Sequence, residues 1–148
     1  MKIIKHTFRF PKLTVSGDEL IEDGFIEETY TFTLLHKGMG IFEELSGKPL
    51  MSYLTDIASD SDQMEAINKF LDKNFIPNLA SASYVKIVDG KFHNNRATAE
   101  EFKKTAVFPR ITEDLAFVEE LVEMAVDCIL GDQKALNNSK NKAGSGKK

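Results

Sequence analysis

Near the start of the chain, Ile4, His6, Phe8 and Phe10 alternate with Lys5, Thr7 and Arg9. Period-two alternation predicts a half-buried strand, and Pro11, which cannot donate to a ladder, is expected to stop it. Residues Pro11 to Gly24 contain Ser16-Gly17-Asp18-Glu19 and Glu22-Asp23-Gly24 and read as a long connection, with Leu13 and Val15 as a possible extension of the strand. A second strand follows from Phe25 to Leu35. Tyr30, Phe32 and Leu34 share one face, and Thr29, Thr31 and Thr33 the other. The two strands most simply pair antiparallel, and a lone hairpin needs helices on its apolar face.

The period then changes. After Lys37-Gly38-Met39-Gly40, residues Ile41, Phe42 and Leu45 take helical spacing, and Gly47 suits a left-handed C-terminal position. The glycine-rich joint between strand and helix reads as a hinge at Gly38 and Gly40. Substituting Gly40 with Val is therefore expected to impair assembly or solubility. Pro49 opens the next helix, whose stripe is Leu50, Leu54, Ile57 and Ala58. Asp62 and Glu65 have capping-box spacing for a helix carrying Met64, Ile67, Phe70 and Leu71, and Asn74 to Pro77 reads as its exit turn.

Tyr84 to Asn95 supports two readings. Val85, Ile87 and Val88 before Asp89-Gly90 fit a strand and tight turn, with Lys91-Phe92-His93 returning. Leu79, Ala82, Val85 and Val88 fit one face of a helix from Asn78 to Gly90, and this reading is favoured. Thr98-Ala99-Glu100-Glu101 is a capping box for a short helix through Phe102 and Ala106. The last helix, capped by Thr112, carries Leu115, Val118, Val122, Ala125 and Ile129, widened by Leu121 and Val126, and is expected to stop at Gly131. The fold class is α+β, a mainly α-helical body with an N-terminal antiparallel β-hairpin. Residues 1–132 form a single domain, and 133–148 a flexible basic tail.

Composition narrows the function classes. The net charge is −4 over 148 residues, and the five Lys from Lys134 onward leave the preceding part at about −9 by subtraction. An acidic body disfavours general nucleic-acid binding. With one cysteine, Cys128, no intrachain disulfide or cysteine zinc site forms, and the thiol reads as a small buried hydrophobe. No apolar run approaches a membrane span, and the first residues do not resemble a signal peptide, so the chain is expected in the cytosol where it is made.

Candidate chemistry is sparse. His6, His36 and His93 are scattered, although His6 and His36 could approach across the hairpin. A calcium loop begun at Asp56 places Ser61 and Ile67 where Gly and Glu are required, so Asp56, Asp60 and Asp62 read as helix-end acids. Gly144-Ser145-Gly146-Lys147-Lys148 fails as a phosphate loop, because its first Gly would fall at Asn141 and no helix follows. The pairs Glu27-Glu28, Glu43-Glu44, Glu100-Glu101 and Glu119-Glu120 are sequence neighbours that point apart, as on solvated faces. No catalytic residues, metal ligands or cofactor are expected.

Tyr30-Thr-Phe-Thr-Leu-Leu35, then Gly38-Met-Gly-Ile-Phe-Glu-Glu-Leu45 with Gly47-Lys48, begin a recognisable order. Asn94-Asn95 before Thr98-Ala-Glu-Glu-Phe102, the amphipathic last helix and the Gly/Lys-rich end complete it. In this the chain resembles the tail assembly chaperones of long-tailed bacteriophages. The segment from Pro11 to Gly24 is larger than that family suggests. The resemblance implies a non-enzymatic, self-associating factor, helical or ring-like when assembled. It would coat the tape measure protein in the host cytoplasm while tail tube subunits polymerise, and be absent from the mature virion. Family members often also occur as a longer frameshifted product, through which a tail tube contact would be made. The implied partner-binding or self-association residues are Met39, Phe42, Leu45 and Tyr53. Alternatives are a tail-completion or head-tail joining protein, which would stay in the particle, and a regulator binding nucleic acid through its Lys tail.

Overall fold

Strand β1 (Ile4–Ser16) runs antiparallel to β2 (Glu19–Phe32) in the computed structural model, which describes residues 2–58 and 74–145. The core face of β1 is the one its alternation predicts: Ile4, Phe8 and Phe10 are buried and His6 is half-buried. Pro11 does not end the strand. β1 is the edge of the sheet, where a missing N–H is tolerated, and pairing continues from Pro11–Phe25 to Ser16–Glu19. The register shifts between Pro11 and Leu13, where β2 carries one extra residue and Gly24 has φ 78°. A bulge with a left-handed glycine absorbs that residue. Gly17, φ 67°, opens the two-residue turn.

Two helices follow, α1 (His36–Ser46) and α2 (Leu50–Ala58). α1 ends as expected, with Gly47 left-handed at φ 77° and its N–H bonded to the Glu43 carbonyl at 2.8 Å. The helix expected from Asp62, with Met64, Ile67, Phe70 and Leu71, lies outside the described residues, as do Asp60 and Glu65. Asn74–Phe75 forms the turn into α3 (Ile76–Ser83), which Pro77 enters in its first turn.

The helix favoured through Gly90 stops at Ser83 instead. Tyr84–Val88 is β3, and Lys91–His93 is β4. Asp89 (φ 52°) and Gly90 (φ 76°) make the turn between them with two positive φ angles, the geometry of a type I′ hairpin turn. β3 joins β2 through Thr31–Val85 and Phe32–Tyr84, giving a four-stranded antiparallel sheet in the order β1-β2-β3-β4. With about 50% helix, the fold is α+β, and the sheet is larger than the single hairpin expected.

Helix α4 (Arg96–Lys103) begins one turn earlier than its expected cap. Asn95 is the N-cap, accepting from the Thr98 N–H at 2.9 Å, and Thr98 reciprocates by accepting from the Asn95 N–H at 2.8 Å. A 3-10 helix (Phe108–Glu113) contains Thr112, so the last helix, α5 (Leu115–Ser145), is capped by Asp114, whose carboxylate accepts from the Phe117 N–H at 3.1 Å. Its buried stripe includes Phe117, Leu121 and Met124, while Leu115 is 69% exposed. Gly131 does not stop it. A glycine inside a helix costs about 1 kcal/mol against Ala, little enough for Asp-Gln-Lys-Ala-Leu beyond it to continue the backbone. The segment expected to be a flexible tail is thus helical through Ser145.

The core lies between the sheet and α3, α4 and α5. Phe32 and Phe102 cross at 5.3 Å and 90°, Phe32 and Phe117 lie 4.9 Å apart, and Tyr84 stacks on Phe102 at 5.3 Å. Aromatic pairs in edge-to-face and offset-stacked geometries add about 0.5–1.5 kcal/mol each to the area they bury.

Candidate functional site

The glycines read as a hinge both lie inside α1. A Cβ on Gly38 would stand 2.9 Å from the Ala82 carbonyl oxygen, 3.4 Å from Leu34 Cδ1 and 3.5 Å from Asn94 Oδ1. Gly38 therefore permits α1 and α3 to touch backbone to backbone. Asn94, buried, ties the same place together by donating to the carbonyls of Ala82 and Tyr84, both at 2.9 Å. Around Gly40 there is open space, so a side chain fits there without a clash. Strand and helix period meet at Leu35, and of the two glycines only Gly38 serves close packing.

Of the four candidate contact residues, Phe42 is fully buried. It meets Tyr53 at 5.5 Å, and Tyr53 stacks on Phe75 at 5.4 Å. Met39, Leu45 and Tyr53 are half-buried and pack against the core. Met39 and Leu45 face different surroundings. The Met39 Sδ lies 3.9 Å from Cys128 Sγ, whereas Leu45 borders a cleft with Pro77, Phe108 and Ile111. Lys48 pairs with Asp56 and lies 4.9 Å from the Tyr53 ring centroid, closing the outer side of that aromatic group.

A cleft of about 630 Å3 opens between the β2–α1 connection and α5. Leu34, Leu35, Met124 and Cys128 give it apolar walls, and Lys2, His36 and Asp127 give it polar ones. On another face of α5 from the cleft-lining Met124, Asp127, Cys128 and Gly131, Val126 and Leu130 are exposed one turn apart. The residue pattern placed these side chains on the last helix but gave no sign of the cleft, which depends on where the chain after β2 crosses α5.

His6 and His36 do not meet as ligands. The His6 Nε2 lies 2.7 Å from Asp114 Oδ2, between the Phe8 and Phe117 rings, so it joins β1 to the start of α5. Among the described residues no group of three or more His, Cys, Asp or Glu is placed to hold a metal ion. The Tyr30 phenol donates to Glu28 and, buried and next to that carboxylate, ionises far above the ordinary value of 10.0. Tyr84 is raised by burial and then by Glu101, which forms an ion pair with Lys86 at 2.8 Å.

A second surface escaped sequence reasoning. Every residue from Lys12 to Phe25 is exposed, so the distal half of the β1–β2 ribbon is an arm. Alternation and register place Leu13, Val15, Leu20 and Phe25 on the face opposite Phe8 and Phe10. The signal was present in Leu13, Val15 and Leu20 about the Gly17-Asp18 turn. Among the described residues no helix is long and apolar enough to cross a membrane. No protein-family model matches the chain, and neither the curated proteins nor the solved structures compared with it give a match.

Proposed function

We propose that the protein is a non-enzymatic tail assembly chaperone of a long-tailed bacteriophage. It binds and solubilises the tape measure protein in the host cytoplasm, self-associates along it, and leaves before the virion is complete. The order of strand, helix and capping motifs supports this reading, as does apolar surface left uncovered after folding. The observation that carries it is the cleft between Leu34-Leu35 and α5, walled on that helix by Met124 and Cys128. An amphipathic helix recognised through anchors at i, i+3, i+4 and i+7 requires an apolar groove of this kind. Met39 and Met124 beside it are unbranched and adapt to varied side chains, which suits a long and irregular helical client. Met39 lies nearest the groove, against Cys128, whereas Leu45 borders another cleft and Phe42 packs with Tyr53 and Phe75 away from it.

Pull-down of the tape measure protein with the wild-type chain, and with Leu35→Asp/Gly131→Asp in the cleft wall, tests the reading. Capture by the wild type and its loss in the variant are expected, and no capture by the wild type refutes the proposal. Mass spectrometry of purified virions separates it from a tail-completion or head-tail joining role: the chaperone is absent, whereas a structural component is present in stoichiometric amount.

A further inference from the structure

We propose that α5 lies antiparallel along the α5 of a second copy of this chain, with the acidic stretch of each helix against the basic stretch of the other. The inference names a surface for the self-association proposed above and rests on that reading only for the expectation that copies meet. From Leu115 to Gln133 the helix carries Glu119, Glu120, Glu123, Asp127 and Asp132 and no base. From Lys134 to Ser145 it carries Lys134, Lys140 and Lys142 and no acid.

The acidic stretch presents one coherent face. At about 100° per residue, Glu119, Glu123, Val126, Asp127 and Leu130 fall within an arc of roughly 100°, and all five are exposed. Leu121, Met124 and Ala125 hold the opposite side in the core. Lys2 pairs with Glu123 at 3.3 Å, whereas Glu119, Glu120 and Asp127 form no ion pair with any described residue. Their own helix cannot supply one. α5 is continuous, so Glu120 and Lys140 stand about 30 Å apart along it, several times the ~8–10 Å over which salt lets exposed charges interact. Asp127 and Lys134 are two turns apart, beyond the three- or four-residue spacing at which helical side chains pair.

A second copy meets both demands at once. With a two-fold axis near Leu130, position 120 of each helix falls level with position 140 of the other, and Leu130, 48% exposed, meets its own counterpart. Val126, 37% exposed, extends that apolar centre by one turn. A parallel copy sets acid on acid and base on base. The acidic arc also disfavours nucleic acid and anionic lipid as occupants. A helix of this length spans about 46 Å, and a contact ~10 Å wide along it covers about 460 Å2 per partner, below the ~800 Å2 of a standard interface. The contact is therefore weak and reversible, and it depends on salt.

Sedimentation equilibrium of the purified full chain at low salt, over a concentration series into the hundred-micromolar range, tests this without the client. The wild type is expected to associate. Glu119→Lys/Glu120→Lys, and separately Lys140→Glu/Lys142→Glu, should each weaken association about tenfold or more with an unchanged circular dichroism spectrum. Mixing the two variants should restore it, because opposite charges then face each other at both ends of the pair. Leu130→Asp, which sets two like charges on the axis, should weaken it as well. A monomeric wild type, unchanged association in the charge variants, or no recovery on mixing overturns the proposal. Loss of client binding in Glu119→Lys/Glu120→Lys with association unchanged also overturns it, because the acidic arc then serves the client. Failure of association leaves the client pull-down untouched, so the two proposals fail separately.

Discussion

Replacing Gly38 with Ala tests whether the first helix is fixed by close packing or bends at its glycines. In a helix interior, Gly to Ala alone contributes about 1 kcal/mol of stability. At Gly38 the added Cβ meets the Ala82 carbonyl oxygen at 2.9 Å, a backbone atom that Asn94 already holds at 2.9 Å. The helices must separate, or the Asn94 bridge must break, and overpacking of this kind costs about 1–3 kcal/mol before relaxation. Adding the lost bridge, the net effect is destabilisation by roughly 1–2 kcal/mol. Gly40→Ala is the internal control. With open space around it, that change is expected to stabilise by about 0.5–1 kcal/mol. In a domain of this size the two variants should differ in Tm by roughly 5–10 °C. Urea titration and differential scanning calorimetry of both variants and the wild type measure it. A Gly38→Ala protein as stable as Gly40→Ala would refute the packing argument. Gly40→Val, expected from sequence to impair assembly, is now expected to leave assembly intact.

Phe102→Ala removes a fully buried ring that meets Tyr30, Phe32, Tyr84 and Phe108, and should cost about 3–5 kcal/mol by urea titration. Asp114→Ala removes both the cap on Phe117 and the partner of His6, and should cost about 1–2 kcal/mol, with Asp114→Asn recovering part of it. Tyr30 and Tyr84 both ionise above the ordinary value of 10.0 when folded, so the folded state holds their protons longer than the unfolded chain. Their contribution is complete below about pH 10 and falls as pH rises beyond it. The urea midpoint should therefore drop between pH 9 and 11, and drop less in Tyr30→Phe/Tyr84→Phe; an equal drop would contradict the assignment.

The proximal hairpin was legible because Ile4, His6, Phe8 and Phe10 keep a strict period of two against a buried face. The arm was not, since Glu22, Asp23 and the bulge at Gly24 interrupt the alternation where neither face is buried. Val85 fits a helical stripe with Leu79 and Ala82 as well as a strand with Ile87, and pairing of Tyr84 and Val85 with β2 and of Lys86 to Val88 with β4 decides for a strand. In α5, Leu115 and Phe117 compete to begin the stripe, and the position of Phe8 and Phe32 settles it for Phe117. Glycine misled twice. Gly131 lies within a helix that continues, and Gly38 marks a close approach that sequence spacing does not reveal. The candidate contact residues shared this difficulty: Phe42 and Leu45 follow one helical pattern, and whether such a stripe is covered depends on α3 and the residues of Phe75's turn.

Solubility of the tape measure protein, co-expressed with and without this chain, tests the central proposal most directly. The expected result is a client that pellets alone and stays in the supernatant, in complex, when the chain is present. A client that pellets equally in both, with no complex recovered, would contradict it.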